Sequence, residues 1–132
     1  MMTLEDLDNH IAALCKEHNV TRIVKPGRGR ARVKIRVIRH PPLTEEMAYL
    51  VALHEVGHVV LGIPPQSSRL EREAMCWVWA LEHSKIAASY PSYQRIAACL
   101  VRYLWWATER GWRVPPAGSD FWRLMRWWEP AY

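Results

Sequence analysis

Residues 44–62 of the chain read TEEMAYLVALHEVGHVVLG. The apolar residues and the two histidines of this stretch recur at steps of three and four, which predicts an α-helix with one buried face. Thr44 is suited to cap the start of this helix, and Gly62 is suited to end it near Leu61. The predicted buried stripe consists of Met47, Leu50, Val51, His54, His58 and Leu61.

Residues 54–58 of this helix read His-Glu-Val-Gly-His, the H-E-x-x-H pattern. Residues four apart lie on one face of a helix, so His54 and His58 can bind the same metal ion. Glu55 lies beside them and can act as the general base that takes a proton from a water acidified by the metal. The alternative is a core helix with two hydrogen-bonded histidines. Because both histidines continue the buried face, we predict a divalent metal site with one Zn²⁺ per chain.

A catalytic zinc site needs a third protein ligand. The segment LEREA, residues 70–74, follows a short loop and begins the next predicted helix, which can return antiparallel to the first. A glutamate in its first turn would then face the two histidines, and both Glu71 and Glu73 are candidates for that role. The alternative is that these acids only stabilise the N-terminus of their helix.

Residues 52–62 and 71–80, ALHEVGHVVLG and EREAMCWVWA, resemble the ImmA/IrrE-type metallopeptidases, which are gluzincin-like proteins of bacteria and their phages. The resemblance implies a compact zincin-like domain and a zinc-dependent endopeptidase. In the spacing of that family Glu71 takes the place of the third ligand, followed by Ala74 and the pair Trp79-Ala80, so Glu73 is the less favoured alternative. The resemblance also implies a regulatory protein, such as a repressor, as the substrate.

The patterns along the rest of the chain predict a mostly helical α+β fold in a single domain, residues 1–132, with a small sheet beside the H-E-x-x-H helix. Residues 1–40 supply a first helix and a basic strand, residues 41–84 the zinc-site helix pair, and residues 85–132 a Trp-rich helical part. The first helix is predicted over Thr3–His18 and the strand over Arg30–Ile38. The later helices are predicted over Arg69–Ser84, from Ser92 to before Gly111, and over Asp120–Trp128.

The net charge of +5 is concentrated in residues 22–39, which contain eight basic residues and no acid. Alternating apolar and basic residues predict one strand that could bind an extended peptide substrate along its edge. The residues assigned to this substrate strand are Val33, Lys34, Ile35, Arg36 and Val37. Its basic face could instead be a solvated surface, or it could attract nucleic acid or an acidic partner.

Two further groups of residues in the second half of the chain are relevant to function. Tyr90, Tyr93 and His83 follow the predicted ligand helix and could donate a hydrogen bond to the oxyanion of the reaction, although packing roles are the alternative. Six of the eight tryptophans lie in residues 105–132, close to several arginines. They should supply part of the core and an aromatic surface for a partner or an oligomer contact.

The function predicted from these features is hydrolysis of peptide bonds by a zinc endopeptidase. The alternative is a non-catalytic zinc-containing binding module that docks nucleic acid or a protein partner through the basic strand. The N-terminus carries acids where a signal peptide carries basic residues, and no apolar run has the length of a transmembrane helix. A cytoplasmic location is therefore expected.

Overall fold

The computed structural model describes residues 1–64 and 68–128. The fold is α+β and mostly helical, with a small sheet packed beside the H-E-x-x-H helix, as the sequence predicts. The elements in chain order are α1 (Leu4–Glu17), β1 (Thr21–Val24), β2 (Arg30–Arg32), β3 (Val37–His40), α2 (Glu46–Leu61), α3 (Arg69–His83), α4 (Tyr90–Arg110) and α5 (Asp120–Met125).

Short polar side chains and glycines set the ends of several helices. Thr3 and Asp6 form a reciprocal capping box at the start of α1, and the Ser68 hydroxyl accepts a hydrogen bond from the Glu71 backbone N–H at the start of α3. Ser89 caps α4 in the same way, so α4 begins two residues before the predicted Ser92. At α2 the N-cap position is Glu45 rather than the predicted Thr44.

The sheet has three strands in the order β1-β3-β2, with β1 parallel and β2 antiparallel to the central β3. The predicted single strand over Arg30–Ile38 is wrong, because residues 33–36 form the turn that joins β2 to β3. Arg36 adopts a left-handed backbone conformation with φ of 56°, and its guanidinium donates hydrogen bonds to the backbone carbonyls of His18 and Asn19 at the end of α1.

The predicted substrate strand is therefore also wrong. Of its five residues, Val33, Lys34, Ile35 and Arg36 lie in the turn, and only Val37 belongs to a strand. The alternation of apolar and basic residues runs through both arms of the hairpin, so it gave no sign of the reversal between them. Folding back lets β3 bond to a neighbour on each side and buries Ile38 completely, which one extended edge strand would not do.

The helix α2 lies at the centre of the molecule, in contact with α1, α3, β2 and β3. Its middle is buried on nearly every side rather than along one stripe, because these elements surround it. Apart from half-buried Val51, all residues from Met47 to Gly57 are buried. Apolar side chains from the other four helices join it in one hydrophobic cluster. A search of the described residues for membrane-spanning helices found none.

Candidate metal centre

His54 and His58 lie one turn apart on α2, and their side chains meet at the same point. Their Nε2 atoms are 3.1 Å apart, and the two rings stand edge to face with centroids separated by 4.6 Å. His54 is buried and stacks on Trp77 of α3 at a centroid distance of 4.0 Å, whereas His58 is half-buried. The neighbouring helix therefore fixes the His54 ring, and the second ring stays within reach of solvent.

The third side chain at this point is Glu73 of α3. Its Oε2 atom lies 2.9 Å from His54 Nε2 and 3.3 Å from His58 Nε2. The three ligand atoms all fall within 4.8 Å of one another, so they could hold a metal ion. We refer to His54, His58 and Glu73 as the metal triad.

Glu71, the favoured third ligand on the family spacing, is not part of this group. Residues two apart on a helix point about 200° from each other, so only one of the two glutamates can face α2. Glu71 instead lines a separate cavity that also contains Asp120 and Phe121 of α5. The α3 sequence carries a signal for the correct choice, because Glu73 belongs to the buried stripe and Glu71 does not. That stripe consists of Leu70, Glu73, Ala74, Trp77 and Ala80.

Charges within the metal triad stabilise one another. Burial opposes protonation of His58, but hydrogen bonds with Cys76 and Glu73 outweigh it and raise the pKa of His58 to about 10. Burial also works against ionisation of Glu73, but its hydrogen bonds to both histidines hold its pKa far below the usual range. Burial lowers the pKa of His54, which favours its neutral, ligating form. The buried carboxylate of Glu73 thus favours a positive charge beside it, either a proton on His58 or a metal ion.

The chemistry of the triad fits a divalent metal ion. Two imidazole nitrogens and one carboxylate oxygen are a donor set of catalytic zinc sites. The Nδ1 atom of His54 is buried without a hydrogen-bond partner. The fixed ring position therefore comes from stacking on Trp77, not from a hydrogen bond at its second nitrogen. In many metal sites such a bond holds the ligating ring.

Glu55 lies beside the triad. The distance from its Oε1 atom to His54 Nε2 is 3.9 Å, which is too long for a hydrogen bond. Burial raises the pKa of Glu55 to about 7, so near neutral pH the carboxyl can both accept and release a proton. The backbone at Gly29 covers it, because a Cβ placed there would lie 3.1 Å from the Cγ atom of Glu55. The loop between β1 and β2, residues 25–29, is therefore one wall of the site.

A cavity of about 620 Å³ opens onto His54, Glu55, His58 and Glu73. Tyr103 of α4 also lines it, although the sequence gave no reason to single this tyrosine out. Burial raises its pKa, as does the negative charge of Glu73, so its hydroxyl keeps its proton at neutral pH. Its position on α4 depends on how that helix folds back over α3, and residue spacing gave no signal of that.

The three predicted oxyanion donors lie away from this cavity. Tyr93 stacks on Trp127, with ring centroids 4.6 Å apart, and Tyr90 meets the edge of the same ring. His83 stacks on Trp79, and its Nδ1 atom lies 2.8 Å from the Trp79 carbonyl oxygen. Within the described ranges, none of these side chains lines either of the two cavities that contain the triad.

The Trp-rich part contributes both core and surface. Trp112 and Trp122 pack against the hydrophobic cluster, whereas Trp105, Trp106 and Trp128 are exposed. Residues 129–132, at the end of this part, lie outside the described residues. The predicted role of the aromatic surface as a partner or oligomer contact stays a prediction.

Comparison of the chain with protein-family models, with curated proteins and with solved structures gave no match. The resemblance to ImmA/IrrE-type proteins therefore depends on the motif residues alone. What the chain does must be inferred from the chemistry of the metal triad, Glu55 and the cavity around them.

Proposed function

We propose that this chain is a zinc-dependent peptidase that hydrolyses peptide bonds. The observation that carries the proposal is the convergence of the metal triad, with buried Glu55 beside it, on a cavity large enough for a short peptide segment. A hydrogen-bonded pair of core histidines would not by itself account for a buried carboxylate that converges on both rings. Zinc is favoured over other divalent ions because two histidines and one glutamate are typical of catalytic zinc.

Each residue of the site then has a separate task. His54, His58 and Glu73 hold the ion, which when bound supplies a Lewis acid for the substrate carbonyl. Glu55 takes a proton from water at a carboxylate oxygen and returns it to the leaving nitrogen. A carboxyl with a pKa near the working pH suits both steps, since it is neither too weak a base nor too weak an acid.

Tyr103 completes the proposed machinery. Its side chain lines the cavity from α4, and its hydroxyl keeps its proton and can donate a hydrogen bond. A donor in this place can stabilise the negative charge that develops on the carbonyl oxygen. From the resemblance alone, we add that the substrate is a regulatory protein such as a repressor.

The metal triad is tested by elemental analysis of purified proteins. Wild type should carry about one zinc per chain, and His54→Ala and Glu73→Ala should lose it or bind it 10- to 100-fold more weakly, an effect of the order known for changes around metal ligands. Glu71→Ala is the matched control, since it removes the same side chain two residues away and should leave zinc binding unchanged. Absence of metal from wild type, even after zinc is offered, would sink the proposal and favour the binding module.

Turnover is tested with Glu55→Gln. This variant keeps the size and hydrogen-bonding capacity of the side chain but cannot accept a proton, so hydrolysis of peptides should fall by about 10²- to 10⁴-fold. Its zinc content should equal that of wild type, because Glu55 is not a member of the triad. Peptide cleavage at the wild-type rate by this variant would remove Glu55 from the mechanism.

A further inference from the structure

The cavity above the metal triad is strongly cationic. Five arginines line it, from three parts of the fold: Arg28 in the loop before β2, Arg30 and Arg39 in the sheet, and Arg69 and Arg72 in α3. Among the residues that the structure describes, the carboxylates in the lining are two, Glu55 and Glu73. The wall of the cavity therefore keeps a positive excess even before a divalent metal adds its own charge.

Several of these arginines lack an acidic partner. Among residues 1–64 and 68–128, no carboxylate forms an ion pair with Arg28, Arg30 or Arg39, whereas Arg22, Arg95, Arg110 and Arg123, outside this cavity, each have one. Arg30 and Arg39 are direct cross-strand neighbours in the antiparallel β2–β3 pair. Like charges in that arrangement repel each other and destabilise a sheet. The Nε atom of Arg39 is also buried without a hydrogen-bond acceptor. The sheet thus offers donors and positive charge that nothing in the described chain satisfies.

We infer that the cavity binds an acidic peptide segment, with carboxylates of the segment paired to Arg28, Arg30 and Arg39 while its backbone lies over the metal triad. That such a segment is cleaved rests on the proposed peptidase function, whereas its binding does not. Arginine matches carboxylates well because its planar guanidinium can donate two parallel hydrogen bonds to one carboxylate. At about 620 Å³ the cavity is in the usual range of ligand pockets and admits a few extended residues, but it is too small for a nucleic-acid duplex.

The first measurement is binding, made with zinc-loaded Glu55→Gln so that the probe is not consumed. Two fluorescein-labelled decapeptides that differ at only four positions are compared. The acidic peptide has Asp or Glu at these positions, and the amide peptide has Asn or Gln. Fluorescence anisotropy should show the acidic peptide binding at least about tenfold more tightly at low salt, and the difference should shrink at high salt because exposed charges are screened. Equal affinity for the two peptides overturns the inference.

Two matched double variants test which cationic residues bind the acidic peptide. Arg28→Gln/Arg30→Gln removes two cations from the cavity wall, and Arg32→Gln/Lys34→Gln removes two from the same hairpin outside the cavity. All four side chains are exposed, so both variants should fold, which circular dichroism and zinc content will check. The first should weaken binding of the acidic peptide about tenfold and the second less than about twofold, as ion pairs near a protein surface allow. Equal losses in both would mean that net charge alone attracts the peptide, and would overturn the site.

Two further measurements distinguish this inference from the peptidase proposal and from nucleic-acid binding. If the acidic peptide binds through the cavity arginines but wild type does not cleave it, the inference stands and the peptidase proposal fails. If wild type cleaves the acidic and amide peptides with equal kcat/KM, the peptidase proposal stands and the inference fails. A single-stranded oligonucleotide of the same charge serves as competitor. If it binds more tightly than the peptide and with the same arginine dependence, the site belongs to nucleic acid and the inference is overturned.

Discussion

Tyr103 reaches the cavity from α4, a helix that contributes no member of the metal triad. Arg69, at the first position of α3, lies over its ring at 5.4 Å from the centroid. The same guanidinium lies 5.7 Å from the centroid of Trp112, so a cation between two aromatic rings ties α3 to the second half of the chain. This contact orients the tyrosine whether or not its hydroxyl takes part in the reaction.

Replacing Tyr103 with Phe removes the hydroxyl and keeps the ring. We expect kcat for peptide hydrolysis to fall about a hundredfold, the usual cost of losing one oxyanion donor, with KM and zinc content close to wild type. Tyr93→Phe is the control, since Tyr93 stacks on Trp127 and does not line the cavity. A wild-type kcat in Tyr103→Phe would show that this hydroxyl does not touch the transition state.

At the scale of single residues, the sequence predicted what depends on spacing within one helix. His54, Glu55 and His58 follow from their separation along α2 alone. The choice between Glu71 and Glu73 depends on how α3 is rotated about its own axis, which the packing of Leu70 and Trp77 decides. The family spacing favoured Glu71. Glu73, however, lies on the buried face of α3, and packing of that face places it beside the histidines.

Among the elements, the loop between β1 and β2 has a larger role than its composition suggests. Its sequence KPGRG, residues 25–29, is typical of a flexible turn. In the structure its backbone lies against α2, and a Cβ at Gly29 would be 2.7 Å from Val51 Cγ1. Glycine is required here for close approach to the helix, and the loop keeps water away from one side of Glu55.

Gly29→Ala should therefore push the loop off α2. We expect peptide hydrolysis to fall about tenfold or more, because small displacements of a catalytic group are costly, while zinc stays bound. Gly27→Ala is the matched control in the same loop. A Cβ there meets no atom within 4 Å, but the φ of 115° disfavours alanine, so it should lower the free energy of unfolding by about 1 kcal/mol without changing kcat. Equal kinetic effects of the two changes would contradict a role for the Gly29 contact.

The helices were predictable as elements, whereas the strands of the small sheet were not, for physical reasons that specific residues show. Gly111 ends α4 in the left-handed conformation, and Pro91 lies in its first turn, so local chemistry marks both ends. The four-residue strand β1 has three exposed residues and no alternation, and it is held by parallel bonds to β3, which is distant in sequence. Pairing of that kind leaves no periodic signal.

For the molecule as a whole, one buried histidine outside the metal centre links stability to pH. His40, at the end of β3, is fully buried, and its Nδ1 atom lies 2.7 Å from the Pro41 carbonyl oxygen. Its Nε2 atom is buried with no partner, and burial lowers the pKa of this imidazole below its ordinary value of 6.5. The unfolded chain therefore takes up the proton more readily than the folded one.

Protonation of His40 should favour the unfolded chain as the pH drops below about 6.5. The raised pKa values of His58 and Glu55 act in the opposite direction over the same range, so the effect of His40 is measured as a difference between two proteins. Urea unfolding of metal-free wild type and His40→Leu is followed by tryptophan fluorescence at pH 7.5 and 5.5. On going to the acidic pH, the midpoint of wild type should fall relative to that of His40→Leu, which cannot titrate at this position. An equal change in both proteins would assign the pH dependence to other groups.

All three members of the metal triad lie between residues 54 and 73, on two helices that follow each other directly in the chain. During synthesis this helix pair leaves the ribosome before α4, since domains form from the N-terminus onward. The metal triad can therefore come together before Tyr103 takes its place and before the cavity has its α4 wall. On the proposed function, a nascent chain would bind its metal before it could hydrolyse a peptide, so the two events would be separated in time.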